Sequence, residues 1–191
     1  LLSFSIVKGL MLIPAALISG GSFLIWISWA LRRRREIPPL IGFLRFSGVG
    51  MLAFGNFYAA RKTAYSLPWD LTYLGISLAA FGLLFIIASI ATLKRTIYLR
   101  PQNLIVWGPY RFSRHPLYLG VSFSLVGFML GFRAAWGLIY AGLSILFFLF
   151  LARCEEEELL KEFGDLYKRY KKEVPFFLPL PRRRKRAEMI K

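Results

Sequence analysis

Long apolar runs, each closed by basic or turn-forming residues, set the rhythm of this chain. A membrane-crossing helix needs about 20 mostly apolar residues. Residues 10–31 meet that length and end sharply at Arg32-Arg33-Arg34-Arg35. Residues 1–9 are apolar as well, with Lys8 as their one charge. This opening stretch is too long for a cleaved signal peptide, and its basic cluster lies on the wrong side. Pro38-Pro39 reads as a short stiff linker. Residues 41–60 form a second, glycine-rich run with Arg45 near its start, and 71–93 form a third. Residues 117–130 form a shorter fourth run and 134–152 a fifth. Gly131-Phe132-Arg133 leaves room only for a tight turn, which predicts an antiparallel hairpin of the last two. The pattern predicts an all-α integral membrane protein with about five transmembrane helices. It makes one domain over residues 1–191, divided into three N-terminal spans (1–93), a second half (94–179) and a basic tail (180–191).

Beyond the fifth run the period changes. Leu159, Phe163, Leu166 and Tyr170 recur at helical spacing, with Lys161, Asp165, Lys168 and Lys172 facing away. This predicts an amphipathic helix at the membrane interface, ended by Val174-Pro175.

Composition agrees with a membrane protein: 57% of residues are hydrophobic and 17% aromatic. The net charge of +16 raises nucleic acid as a partner. The basic residues cluster at the ends of apolar runs, however, which favours anionic lipid headgroups and argues against nucleic acid. Placing the N-terminus outside puts 22 of the 26 Lys and Arg on the cytoplasmic side, as the positive-inside rule prefers. With one histidine and one cysteine, Cys154, neither a disulfide framework nor a metal centre is expected.

Two polar clusters remain. The first is Gly108-Pro109-Tyr110-Arg111-Phe112-Ser113-Arg114-His115-Pro116-Leu117-Tyr118-Leu119-Gly120, which carries the single histidine. Pro116 suits the first turn of the fourth helix, with His115 just before it. The second is Glu155-Glu156-Glu157-Glu158, directly after the fifth run. Topology sends both clusters to the same face. The plain reading makes the first an aromatic and basic membrane re-entry and the second a solvated helix face. The chemical reading joins them: carboxylates and tyrosines suit a cationic group, while Arg, His and free helix N–H groups suit an anionic one.

These residues resemble the signature of integral-membrane S-adenosylmethionine-dependent methyltransferases, the isoprenylcysteine carboxyl methyltransferases and related phospholipid methyltransferases. Gly108-Pro109-Tyr110-Arg111, Arg114-His115-Pro116, Tyr118 and Gly120 form one block. Glu155-Glu156, Phe163-Gly164, Tyr167, Tyr170, Val174-Pro175 and Pro179 form the other. The resemblance implies a five-span core with the catalytic, cofactor-binding half in residues 94–179. It implies S-adenosylmethionine as cofactor, held by Gln102, Asn103, Leu104, Ile105, Tyr110, Arg114, His115, Pro116, Leu117, Tyr118 and Glu155. The acceptor would be a lipid-borne or amphipathic molecule entering from the bilayer, either an isoprenylcysteine-like carboxylate or a phospholipid ethanolamine. Glu156 is the nearest base for an amine acceptor. Where carboxyl methyltransferases commonly carry a substrate-binding arginine, this chain has Leu151, which opens the acceptor question. Arg153 is the nearest substitute, about 200° around the helix from Leu151. Sterol reductases, which bind NADPH, share part of this half but have more spans. A non-catalytic membrane scaffold is the third alternative.

Overall fold

The computed structural model describes residues 2–33, 38–62, 67–99 and 104–177. They form five α-helices: α1 (Leu2–Arg33), α2 (Pro38–Lys62), α3 (Asp70–Leu99), α4 (Pro116–Gly131) and α5 (Ala135–Glu173). A single 3₁₀ turn, Gly108–Arg111, interrupts the loop before α4. Gln102, Asn103 and the basic tail lie outside the described residues.

The all-α membrane architecture is present, with differences in detail. α1 begins well before residue 10 and continues through Pro14. Pro38-Pro39 is not a linker but the first turn of α2, where a missing N–H leaves no bond unmade. Among the described residues, three helices are long and apolar enough to cross a membrane: Leu12–Ala30, Asp70–Lys94 and Ala135–Glu173. α4 is apolar but has 16 residues, which reach about 24 Å against a hydrocarbon core of about 30 Å. α2 carries Arg45, Ser47 and Asn56 among its glycines and is not one of the three.

The helices pair by close backbone approach. Gly75 and Gly82 of α3 face Gly127 and Gly120 of α4 in antiparallel register. A Cβ added to Gly82 would lie 2.5 Å from the Ser124 nitrogen, and one added to Gly120 would lie 2.9 Å from the Gly82 oxygen. α1 and α2 use the same device: a Cβ on Gly48 would lie 2.7 Å from the Gly21 oxygen. Apolar burial does little to join helices inside lipid, so small residues that admit tight van der Waals contact take over. A buried polar link joins the two halves, Asn56 Nδ2 donating to Ser144 Oγ at 3.0 Å between α2 and α5. The predicted α4–α5 hairpin forms, with Arg133 at φ 58 and the Ala134 N–H donating to the Met129 carbonyl at 2.8 Å.

α5 has 39 residues, and the part before Gly164 alone makes about 44 Å of helix, longer than a hydrocarbon core of about 30 Å. The amphipathic segment extends from the fifth span as expected, as a second helical piece beyond a kink in α5. Gly164 makes the kink with φ 52 and ψ −121, a conformation that favours glycine. The break shifts the buried stripe: Tyr167, Tyr170 and Val174 are buried, whereas Leu166 is 57% exposed. Leu104, Leu159 and Phe163 pack around that trio.

Candidate active site

The loop into α4 is built to turn sharply. Gly108, at φ 62, lies against Thr92 of α3, where any Cβ would meet Thr92 Oγ1 at 2.7 Å. Pro109 starts the 3₁₀ turn, and its carbonyl accepts from the N–H groups of Phe112 (3.1 Å) and Ser113 (3.3 Å). The buried Ser113 Oγ accepts from the His115 N–H at 3.2 Å. His115 then caps α4, and Pro116 occupies its first turn. This sequence of constraints delivers Arg114 and His115 into the interior, with side chains only 7% and 4% exposed.

α5 brings the carboxylates to them. Tyr118 donates its hydroxyl to Glu155 Oε1 at 2.6 Å, and Glu155 Oε2 lies 3.7 Å from His115 Nδ1. Glu156 is buried. Its Oε1 pairs with Arg114 Nη1 and lies 3.6 Å from His115 Nε2, while Lys171 Nζ meets its Oε2 at 2.9 Å. The chain beyond Gly164 returns over this cluster. The Arg114 N–H donates to the Pro175 carbonyl at 3.1 Å, and Tyr170 donates its hydroxyl to the Tyr110 carbonyl at 2.7 Å. Phe176 stands edge-on to His115 at 5.2 Å and under the Arg114 guanidinium at 5.4 Å. On the membrane side Tyr118 stacks on Phe148 at 5.6 Å.

Burial, then the negative charge of Glu155, pushes the Tyr110 phenol up to about 12, so it stays a neutral donor. Arg114 Nε, His115 Nε2 and the Tyr167 hydroxyl are buried and meet no hydrogen-bond partner among the described residues. Buried polar atoms are normally satisfied, so a group of unmet ones at one place singles this cluster out.

The residues singled out in the sequence separate into groups. Arg114, His115, Tyr118, Glu155 and Glu156 converge. Tyr110 and Leu104 line the returning segment, Ile105 and Leu117 are half-buried, and Pro116 is buried. Arg153 is exposed, and Leu151 is buried against Leu52 and Phe148. The sequence reading missed Lys171 and Phe176. Nothing local marks either one, because both reach the cluster only after the turn at Gly164.

The comparisons with known proteins agree with this architecture. The phospholipid methyltransferase family model matches residues 71–166, just over half of the chain. A 70-residue stretch is 31% identical to a methanethiol S-methyltransferase of Crocosphaera subtropica. That stretch covers 37% of this chain and 27% of the relative, so the chain spans about a quarter of the relative's length. No solved structure matches the chain at a significant level. With the match running from α3 through the Glu155-Glu156 pair, this chain belongs to the phospholipid methyltransferase family.

Proposed function

We propose that the chain transfers a methyl group from S-adenosylmethionine to a lipid-borne or amphipathic acceptor at the cytoplasmic membrane face, with its N-terminus outside. The observation that carries this reading is the buried cluster of Arg114, His115, Glu156 and Tyr167, with its unmet polar atoms. Left unmet, each such atom costs about 1–3 kcal/mol, so the cluster is suited to a charged ligand.

The residues fit this cofactor. Arg114 and His115 would hold its carboxylate and Glu155 its ammonium, while the ring faces of Tyr118 and Phe176 suit the sulfonium. Leu104, Ile105 and Tyr110, with Gln102 and Asn103 before them, would line the adenosine side. When bound, S-adenosylmethionine supplies an electrophilic methyl group. The protein's work is to orient the reactants and exclude water, which Tyr170, Pro175 and Phe176 do by closing over His115. The basic segments draw the protein to anionic headgroups.

The same geometry bears on the acceptor. Glu156 is engaged by Arg114 and by Lys171, which makes it a weak proton acceptor. An acceptor that arrives as an anion needs no base. Leu151 offers no charge to a carboxylate, and Arg153 is exposed beyond it. An amphipathic thiolate fits both facts better than an ethanolamine amine, and the methanethiol S-methyltransferase relative points the same way.

Purified protein with labelled S-adenosylmethionine tests the reading. Saturable binding and label transfer to thiols, above transfer to ethanolamine lipids, are expected. Glu155→Ala combined with His115→Ala should abolish binding, and undiminished binding would remove the site assignment. Binding of NADPH in place of S-adenosylmethionine would instead make the chain reductase-like, and binding of neither would favour a scaffold.

A further inference from the structure

The two oxygens of Glu156 do different things. Oε2 is held by Lys171 at 2.9 Å, and Oε1 meets Arg114 and faces His115 Nε2. Arg114 keeps Nε buried and without a hydrogen-bond partner among the described residues, and His115 keeps Nε2 in the same condition. Guanidinium and carboxylate groups favour a two-bond fork when nothing prevents it. A Glu156 released from Lys171 would turn both oxygens onto Arg114 and use up that open donor edge.

We infer that Lys171 is a positioning residue: it holds Glu156 to one-oxygen contact with Arg114 and so keeps the Arg114 and His115 donors open for an anionic group of the ligand. The identity of that group, the carboxylate of S-adenosylmethionine, rests on the methyltransferase reading above. The same ion pair pins the returning segment 165–177 onto the start of α4, alongside the Tyr170–Tyr110 and Arg114–Pro175 hydrogen bonds. Lys171 itself is half-exposed and meets the cluster at Glu156 Oε2, so it acts through Glu156.

The test uses the full chain in lipid nanodiscs, as wild type, Lys171→Met, Lys171→Arg and Lys168→Met. Lys168 lies on the same returning segment but pairs with Asp165 at the surface, so its removal controls for charge alone. Two readouts are needed. Hydrogen–deuterium exchange over residues 165–177 requires no ligand. Titration with S-adenosylmethionine and with its decarboxylated analogue asks whether the open donors serve the carboxylate.

In Lys171→Met, exchange should quicken and S-adenosylmethionine binding should weaken, each by about tenfold, as for an interaction near 1.4 kcal/mol. Binding of the decarboxylated analogue, which lacks the group those donors would hold, should weaken distinctly less. Lys171→Arg should restore both properties, and Lys168→Met should match wild type. Wild-type exchange in Lys171→Met overturns the inference, as does equal loss of both compounds, which marks general loosening. Wild-type protein that binds neither compound overturns the cofactor reading and the anion role with it. The exchange contrast then decides separately whether Lys171 pins the segment.

Discussion

Glu156 and Lys171 are ion-paired at 2.9 Å, although a straight helix would set residues fifteen positions apart about 22 Å from each other. No pair of side chains spans that distance, so the reversal at Gly164 creates the contact. Gly164 has open space around its Cα, and the constraint there is backbone conformation alone. Gly164→Ala should therefore destabilise the fold by about 1–3 kcal/mol and weaken ligand binding at His115. Gly142, also on α5 and also in open space, is the control: Gly142→Ala adds the same methyl group at ordinary helical geometry. Thermal unfolding in detergent should separate the two variants, and equal midpoints would contradict the argument.

The α3–α4 pair makes the opposite prediction, since space and not conformation is limiting. Gly120→Val would drive a branched side chain into the Gly82 carbonyl and the Ile86 side chain, both 2.9 Å from the added Cβ. Overpacking of this kind costs about 1–3 kcal/mol, and here it would also displace His115 at the head of α4. Loss of folded protein on size exclusion, or a lowered unfolding midpoint, is the expected result.

The Asn56–Ser144 link should prove weaker than its burial implies. Ser144 Oγ also donates to the Tyr140 carbonyl at 3.0 Å, so it keeps a partner when Asn56 is removed. Asn56 Oδ1 has no hydrogen-bond partner among the described residues. Asn56→Leu should cost about 0.6 kcal/mol, the average for such bonds between membrane helices. A loss above about 2 kcal/mol in a denaturant titration would show that the link sets the pairing of the two halves.

Tyr118→Phe removes the hydroxyl held by Glu155 at 2.6 Å and leaves the ring stacked on Phe148. A hydrogen bond to a charged group contributes about 1.5–3 kcal/mol. Ligand affinity should fall by about tenfold or more while the unfolding midpoint changes little. Unchanged affinity would mean that the Tyr118 hydroxyl does not set the position of Glu155.

Tyr110 gives a pH dependence with a definite sign. Its folded value near 12 exceeds that of an unfolded tyrosine, near 10, so between those values the folded state binds the extra proton. Stability from this group is complete below about pH 10 and is lost as pH rises toward 12. Tyr110→Phe should flatten that alkaline decline, which chemical denaturation at stepped pH would measure.

Much of this was legible from the chain. The runs ending at Arg33 and starting at Asp70 and Ala135 announce themselves by length and apolarity, and Gly131-Phe132-Arg133 announces the hairpin. Arg114, His115, Tyr118 and the glutamates could be paired because topology sends both clusters to one end. The helix after residue 159 was misphased at Leu166, because a period read across Gly164 assumes a continuous helix. Pro38-Pro39 was misread because proline both breaks helices and begins them, and only the following residues decide which. Lys171 and Phe176 depend on a fold-back that no local pattern encodes.

The glycine seam between α3 and α4 also limits traffic. Backbones this close leave no gap for a hydrocarbon chain, so that side of the protein is sealed to lipid.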